Sequence, residues 1–537
     1  MKGVITAFLA VLLALGLLVV ACAKPAPPPT SAPAPIVTTV PTSTPKTSPT
    51  PTVAPAQTPQ YGGVLRTIQR QPPRGMYPPL QHAGQVTFPA FQSLVRYDDK
   101  ANLVSELAAD WKFGPDFKSL TFTLRKGIKF HDGTDFNAAA AKFVLEKRKA
   151  GRFGDLDNVT SVSVIDDYTI RLDLSSFQNT IMLYMVGDTS IMYSPTAVQR
   201  MGEEWALWNP VGTGPFKFVS YQRDALVKYE RFDGYWEKGK PYLDGVEILI
   251  IADPTTGTLA FKKGDVHAIR EVMMADVMDL KQYGDYNMTL LPTNQSTLVP
   301  DTANPDSPFA NKKVREAVDY ALDSQAINKS LGYGMWDAPK QIAASYMPAH
   351  VRGLGRQYDP AKAKQLLAEA GYPNGFKTTL YSRTVAPQDA IVAAASFLKA
   401  VGIDATSSPL DIGRYAQLSE NGWKNSLLVG SLTTTGDPVP VWLRSIASNL
   451  STTVKVHKSW TRPSGFQETL EQALAAAEPD AQKTLSQKLV RMIYDDAALI
   501  NPYTYSRGYI WTKNVQNGDF LGEGNAKWTV ADAWIRK

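Results

Sequence analysis

The residues that most often bind metals or act as nucleophiles are few and scattered in this chain of 537 residues. No two histidines have the spacing of a metal-binding helix, and the sequence contains neither His-Glu-x-x-His nor Gly-x-Ser-x-Gly. We therefore expect no metal site, no cofactor and no enzymatic activity. A surface-tethered hydrolase is the remote alternative, because it requires a nucleophile and base that the sequence does not display. The five histidines are His82, His131, His267, His350 and His457.

One segment has the spacing of a phosphate-binding loop but not its composition. Residues Gly234–Lys240 match the two glycines and the lysine of that motif. The loop needs small residues, so that its backbone N–H groups can surround a phosphate, and a hydroxyl residue after the lysine. Tyr235 and Trp236 fill its interior here, and Pro241 takes the place of the hydroxyl residue. The segment is therefore not predicted to bind phosphate.

The composition indicates a soluble, globular chain with more than one core. Hydrophobic residues make up 44% and charged residues 20% of the sequence, which is ordinary for folded proteins. The net charge of +6 is spread over 56 basic and 50 acidic residues without a dense basic cluster. Nucleic-acid binding needs a concentrated basic surface, so it is not expected. The length suggests about two to four domains.

The first residues predict an exported, lipid-anchored protein. Lys2 is followed by a run of about 17 largely apolar residues, Val4–Val20, as in a secretory signal peptide. Val19–Cys22 resembles the bacterial lipobox, in which the cysteine is lipid-modified and becomes the first mature residue. We therefore predict a signal peptide over residues 1–21 and lipidation of Cys22, the one cysteine. A plain N-terminal membrane anchor is the alternative; either way, the rest of the chain is expected outside the cytoplasmic membrane.

Residues 22–60 are predicted to form a disordered tether. They are rich in proline, threonine and serine and contain no aromatic residue. Such a segment cannot bury enough apolar surface to offset the entropy of ordering it, and proline favours the extended polyproline II conformation. It would hold the folded body away from the membrane to which Cys22 is attached.

The body after Tyr61 is predicted to be an α/β protein. Alternating residues indicate strands at Leu120–Arg125 and on both sides of a turn at Asp166–Asp167, and an apolar run indicates a buried strand at Val246–Ile251. Apolar spacing and capping residues indicate several helices. The predicted helices are Ala138–Lys147, Asp253–Phe261, Lys312–Leu322, Pro360–Ala370, Ala390–Ala400, Phe466–Ala477 and Asp480–Tyr494.

A series of segments, in order, resembles the family 5 extracellular solute-binding proteins, the dipeptide- and oligopeptide-binding components of ABC importers. The most characteristic are Trp111–Phe136, which ends in LRKGIKFHDGTDF, and Arg231–Ile248, RFDGYWEKGKPYLDGVEI. Each segment alone would be weak evidence, but together they cover about Tyr61 to Tyr505. The other segments are Tyr61–Arg66, Phe91–Asp98, Asn209–Phe216, Lys263–Asp265, Lys313–Asp323 and Tyr358–Tyr372.

This resemblance implies a two-lobed periplasmic-binding-protein-like fold of the large class, in which a ligand is enclosed between two α/β lobes. The first lobe would comprise residues 61–295 and 501–537, with an inserted subdomain at about 91–208. The second lobe would comprise residues 296–500. The two chain crossings are predicted as the hinge, at Gln295 and Ser296 and at Pro502 and Tyr503.

The resemblance also implies where a ligand would bind. Peptide binders of the family place an aspartate in a Gly-Asp motif of the second lobe against the ligand's ammonium group, and Gly436 and Asp437 occupy the matching region. Here the motif lacks the usual following aromatic residue, so Asp437 could equally be a turn residue before proline. Trp423 and Trp442 are candidate pocket walls, and Thr435 is a candidate hydroxyl donor.

The predicted function is therefore capture of a small solute, most simply a dipeptide or oligopeptide, for a membrane permease and its ATPase subunits. The protein is expected to act as a monomer. The family also contains members for nickel chelates, haem, oligosaccharides and opines, so a non-peptide ligand is an alternative. A sensor that passes ligand occupancy to a receptor is another, and the sequence does not distinguish it from import.

Overall fold

The computed structural model describes residues 58–78, 85–98, 102–151, 154–187, 189–291, 294–433, 458–521 and 529–537. Thr58–Lys537 forms a compact unit of its own. Among the helices in the described ranges, none has the length and apolar character needed to cross a membrane. The predicted signal peptide, Cys22 and nearly all of the predicted tether lie outside the described residues.

The described elements are strands and helices mixed along the chain. The strands are β1 Val64–Gln69, β2 Val95–Tyr97, β3 Leu103–Ser105, β4 Ala108–Phe113, β5 Ser119–Leu124, β6 Val159–Asp166, β7 Thr169–Leu174, β8 Phe216–Gln222, β9 Leu226–Arg231, β10 Gly245–Ile250, β11 Ala268–Val272, β12 Tyr286–Leu290, β13 Asn294–Pro300, β14 Phe376–Arg383, β15 Ile403–Leu410, β16 Leu427–Thr433, β17 Ile500–Tyr505, β18 Gly508–Thr512, β19 Val515–Gln516 and β20 Trp534–Ile535. The α-helices are α1 Ala138–Ala150, α2 Ile181–Tyr184, α3 Pro195–Met201, α4 Glu203–Ala206, α5 Pro254–Lys263, α6 Met274–Tyr283, α7 Lys312–Ala321, α8 Ser324–Leu331, α9 Pro360–Glu369, α10 Gln388–Ala400, α11 Ile412–Asn421, α12 Phe466–Ala475 and α13 Pro479–Asp495. Short 3₁₀ helices lie at Gln85–Thr87, Pro308–Ala310 and Gly518–Leu521.

Several helices begin where the sequence predicts, because their capping residues act locally. The Asn137 side chain accepts a hydrogen bond from the Ala140 N–H at 3.0 Å, so α1 begins at the predicted residue. Asp253 and Asp359 accept equivalent bonds from the third residue beyond them, at 2.7 and 2.8 Å. Both are followed by proline in the first turn, where the missing N–H costs nothing.

The first large sheet combines the early part of the chain with its end. Its seven strands lie in the order β12-β18-β11-β1-β10-β9-β8. Its centre is parallel, because β1 pairs in parallel with both β10 and β11. Strand β18 enters between β11 and β12 and is antiparallel to both. The chain after β17 therefore returns to a sheet that is otherwise built from residues 64–290.

The second large sheet is formed by residues 294–505. Its five strands lie in the order β15-β14-β16-β13-β17. Strand β14 is parallel to β15 and β16, whereas β13 is antiparallel to β16 and β17. The α/β class is thus confirmed in two separate sheets.

An antiparallel sheet, ordered β4-β5-β7-β6, occupies the chain between β1 and β8. Helices α1–α4 belong to the same stretch. Its buried residues, Phe122 among them, belong to the same apolar cluster as Leu65 and Val246 of the seven-stranded sheet. This stretch, which we call the inserted sheet region, is thus anchored to the first large sheet by a common core.

The two large sheets have separate cores, and among the described residues one further apolar cluster contains residues of both. Two apolar clusters around the five-stranded sheet contain only residues of the 298–500 range. A further cluster joins Ile68 and Phe261 of the first sheet's layer to Trp336 and Tyr503 of the second. The two halves therefore share apolar packing close to the points where the chain passes between them.

Candidate ligand-binding cleft

Each large sheet has one edge at which its parallel strands end. In open α/β sheets, ligands bind beyond the carboxyl ends of such strands. The candidate site is the space between these two edges, which we call the cleft. The strand ends that define it are Gln69, Ile250 and Val272 on the seven-stranded sheet, and Arg383, Leu410 and Thr433 on the five-stranded sheet.

Arg507 connects the two edges. Its guanidinium forms an ion pair with Glu271 near the end of β11, with an N–O distance of 3.1 Å. It also donates a hydrogen bond to the Val385 carbonyl, just beyond β14, at 3.0 Å. The Arg507 carbonyl in turn accepts a bond from the Leu291 N–H at 2.8 Å. One residue at a chain crossing thus brings the carboxyl edges of both sheets together.

The cleft edge of the first sheet carries balanced charges. Arg70 and Arg270, with Asp253, Glu271 and Asp276, line a small cavity beside the start of α5. Burial lowers the pKa of Arg270, nearby Glu271 opposes this, and the neighbouring Arg507 lowers the pKa further. Because acids and bases are mixed here, this edge alone does not indicate the charge of a ligand.

Tyr415 lies beside the strand that leads to the predicted ligand-binding segment. Its hydroxyl donates to the Val429 carbonyl of β16 at 3.1 Å. Burial raises the pKa of Tyr415 to about 12, although the nearby Arg383 acts in the opposite direction. The phenol therefore stays protonated at neutral pH, and it fixes α11 against β16.

The predicted ligand-binding residues divide into two groups. Thr435, Gly436, Asp437 and Trp442 lie outside the described residues; in the sequence they come after β16, which ends at Thr433. Trp423 instead precedes the opposite end of β16 and is only 3% exposed. It packs in the core cluster that contains Trp460 and Phe466. The structure therefore gives Trp423 a packing role and no place on the cleft edge.

The predicted hinge residues all lie in paired strands. Gln295 and Ser296 belong to β13, Pro502 and Tyr503 belong to β17, and Ser296 is opposite Tyr503 in the antiparallel register. The Asn501 side chain also donates to the Thr297 hydroxyl at 2.8 Å. The chain passes between the two large sheets at 290–294 and 505–508, immediately outside these strands.

Two residues of the family-like segments, Gly214 of Asn209–Phe216 and His131 of Trp111–Phe136, have structural roles. A Cβ on Gly214 would lie 2.5 Å from the Ala90 carbonyl carbon, so only glycine allows this backbone contact. The His131 ring bonds the Gly214 carbonyl at 2.9 Å, and burial lowers its pKa to about 4. In the described part of the chain, no cluster of three metal-ligating side chains occurs. His131 is accordingly a neutral structural residue.

Sequence reasoning did not find Arg507 or Tyr415. In the sequence, the one indication of a role for Arg507 was its position as a charged residue between two apolar segments. Its partners Glu271 and Val385 are 236 and 122 residues away along the chain.

With this geometry established, comparison with known proteins identifies the family. Residues 102–449 match the model of the bacterial extracellular solute-binding proteins, family 5, middle region. This chain belongs to that family, which binds solutes for ABC importers. Among its relatives, the glutathione-binding protein GsiB of Escherichia coli (strain K12) is 31% identical over 351 residues, which is 63% of this chain and 67% of that protein.

Solved structures confirm the two-lobed periplasmic-binding-protein fold. The periplasmic binding protein DppA from Helicobacter pylori, in complex with the peptide STSA, has a TM-score of 0.77 at 22% identity and covers 89% of this chain and 99% of its own. NikA from Brucella suis, in complex with Fe(III)-EDTA, has a TM-score of 0.77 at 20% identity and covers 87% of this chain and 98% of its own. The two neighbours carry different ligands, so the fold alone does not specify one.

Proposed function

We propose that this chain encloses a short peptide in the cleft and delivers it to the permease of an ABC importer, with no catalytic role of its own. The observation that carries the proposal is the bridge made by Arg507 between the carboxyl edges of both sheets. A ligand beyond these edges touches both lobes at once. The relatives named as glutathione-binding, and a fold neighbour solved with a peptide, favour a peptide over the other solutes of the family.

We further propose that the Asp437 carboxylate pairs with the ligand's ammonium group. A peptide loses the hydration of its charged amino terminus inside a closed cleft, and an uncompensated buried charge is costly. The Asp437 carboxylate would replace that hydration. Thr435, Gly436 and Trp442 are proposed as its neighbours in the site. Trp423 is not retained, because it packs in the core.

The test compares two peptides that differ only at the amino terminus. Calorimetric titration with trialanine and with N-acetyl-trialanine is performed on the wild type and on Asp437→Asn. We expect the variant to lose at least tenfold in affinity for trialanine and little for the acetylated peptide, since only the free amine carries the charge. Asp404→Asn, on the exposed face of β15, is the matched control. Equal losses for both peptides would contradict the role of Asp437.

Lobe closure is proposed to occur about the two crossings, with β13 and β17 moving as a unit. Gln295, Ser296, Pro502 and Tyr503 would then flank the bending points. Spin labels at Ala150→Cys and Ala481→Cys, one on each half, would measure closure. A distance that does not shorten when trialanine is added would contradict it.

We also propose that the mature protein is a monomer attached to the outer face of the cytoplasmic membrane through lipidated Cys22, with residues 23–60 as a spacer. Replacing Cys22 by serine should release the protein from the membrane fraction. Retention in that fraction would favour an uncleaved anchor instead. Light scattering that gives a dimer mass would contradict the monomer.

A further inference from the structure

A polar contact joins the inserted sheet region to helix α12. The Asn179 amide nitrogen donates to the Ala473 carbonyl at 2.7 Å and to the Ala476 carbonyl at 3.0 Å. The backbone N–H of Asn179 donates to the Leu474 carbonyl at 2.9 Å. One residue of the first half thus binds three carbonyl groups at the end of a helix in the second half.

These carbonyls need partners. The last four carbonyl groups of a helix accept no hydrogen bond within the helix, and a buried carbonyl group without a donor is unfavourable. Ala473 and Leu474 are 0% and 1% exposed, and the last turn of α12 has no basic residue to cap it. Within the second half, Gln482 donates to the Ala476 carbonyl at 3.0 Å. Asn179 supplies the donors that reach Ala473 and Leu474.

Both sides of this contact are held firmly by their own cores. Phe177, two residues before Asn179, packs against Phe113 and Phe117, with ring centroids 5.5 and 5.0 Å away. Helix α12 belongs to a cluster confined to the second half, through Phe466 and Leu470. The apolar cluster of the inserted sheet region contains no residue of the 298–500 range. The contact therefore joins two independently packed bodies through hydrogen bonds.

We infer that Asn179 is a latch that holds the two lobes closed and thereby sets how long a ligand is retained. This inference rests on the proposed function, because it assumes that the lobes open and close. Opening the cleft must separate Asn179 from α12 and return the carbonyls of that helix to water. The cost of opening then includes the net value of these bonds, so the latch favours the closed form even without ligand.

The test measures lobe separation in Thr58–Lys537, which contains all the described elements and no cysteine besides introduced ones. Spin labels at Ala150→Cys and Ala481→Cys report the distance between the halves, after unfolding and refolding to remove bound solutes. Asn179→Ala removes two of the three bonds. We expect the ratio of closed to open molecules to fall by about 5- to 30-fold. A distance distribution identical to that of the wild type would overturn the latch.

Two further variants separate a latch from general destabilisation. Asn209→Ala removes a comparable side-chain bond, to the Trp205 carbonyl at 2.8 Å, without contact to the second half, and should leave the distances unchanged. Asn179→Asp puts a negative charge at the negative end of α12 and removes the donor. It should open the lobes more than Asn179→Ala does at pH 7, and less as the introduced carboxyl is protonated near pH 4. An effect of Asn179→Asp that does not change with pH would contradict the inference.

The outcome is distinguishable from failure of the proposed function. The distance measurement on Asn179→Ala uses no ligand, so the spin-label distances alone decide whether the latch exists. If Asn179→Ala opens the lobes but trialanine does not close them again in that variant, the peptide proposal fails and the latch remains. If trialanine closes all variants equally well and dissociates from them at equal rates, the latch has no role in retention.

Discussion

Glu106 offers a quantitative test of the structure, because it is a carboxyl group buried in the inserted sheet region. It is 7% exposed and accepts hydrogen bonds from the Ser93 N–H at 2.8 Å and from the Gln92 amide at 3.5 Å. Burial raises the pKa of Glu106 from 4.5 to about 7, although the bond from Ser93 opposes the shift. Replacing Glu106 by glutamine keeps the shape and removes the ionisation.

The sign and size of the effect follow from proton linkage. Between pH 4.5 and about 7 the folded protein binds a proton at Glu106 that the unfolded chain does not hold. The free energy of unfolding therefore falls as pH rises through this window. At 1.36 kcal/mol per pH unit, the full loss is about 3 kcal/mol. Glu106→Gln has no such loss, so its stability relative to the wild type should rise by this amount across the window.

Denaturant unfolding of Thr58–Lys537 at several pH values between 4.5 and 8 measures this difference. We expect the stability of Glu106→Gln relative to the wild type to increase by about 3 kcal/mol across the range. Contributions common to both proteins, such as that of His131, cancel in the comparison. Glu146→Gln, on the exposed face of α1, controls for the loss of one negative charge. A stability difference that is constant with pH would refute the assigned burial of Glu106.

Two other substitutions test the cleft bridge and a motif contact. Arg507→Met should remove the ion pair with Glu271 and lengthen the distance between the spin labels on the two halves. Arg171→Met, which removes an exposed ion pair within one sheet, should leave that distance unchanged. An unchanged distance in Arg507→Met would contradict the bridge that Arg507 makes between the two sheets. Gly214→Ala should destabilise the fold by about 1–3 kcal/mol, because the added Cβ would collide with the Ala90 backbone. Gly257→Ala, in helix α5, should be neutral or stabilising. Equal thermal unfolding temperatures for the two variants would argue against the close contact between Gly214 and Ala90.

Local signals in the sequence predicted local structure well. Helix α1 begins at Ala138 and α9 at Pro360, as predicted, because Asn137 and Asp359 cap them through bonds to residues three positions away. The turn predicted at Asp166–Asp167 lies one residue later, at Asp167–Tyr168, between β6 and β7. Such features depend on neighbours in the chain, so the sequence specifies them without knowledge of the fold.

Features that depend on distant residues were harder to predict. The core position of Trp423 could not be predicted locally, because its packing partners Trp460 and Phe466 lie about forty residues further along the chain. Asn179 was not identified either, since its partner Leu474 is 295 residues away and no motif marks the contact. The ligand-binding assignment relied on family resemblance, because contact with a ligand produces no recognisable pattern in the neighbouring sequence.

The central claim is that the cleft encloses a peptide, and the most direct measurement identifies what the purified protein carries. Thr58–Lys537 would be expressed, purified and unfolded, and the released small molecules analysed by mass spectrometry. A solute enclosed between two lobes dissociates only when the lobes open, so a slowly released solute survives purification. We expect a set of short peptides. A single non-peptide solute, such as a metal chelate or an opine, would contradict the peptide claim and the role of Asp437.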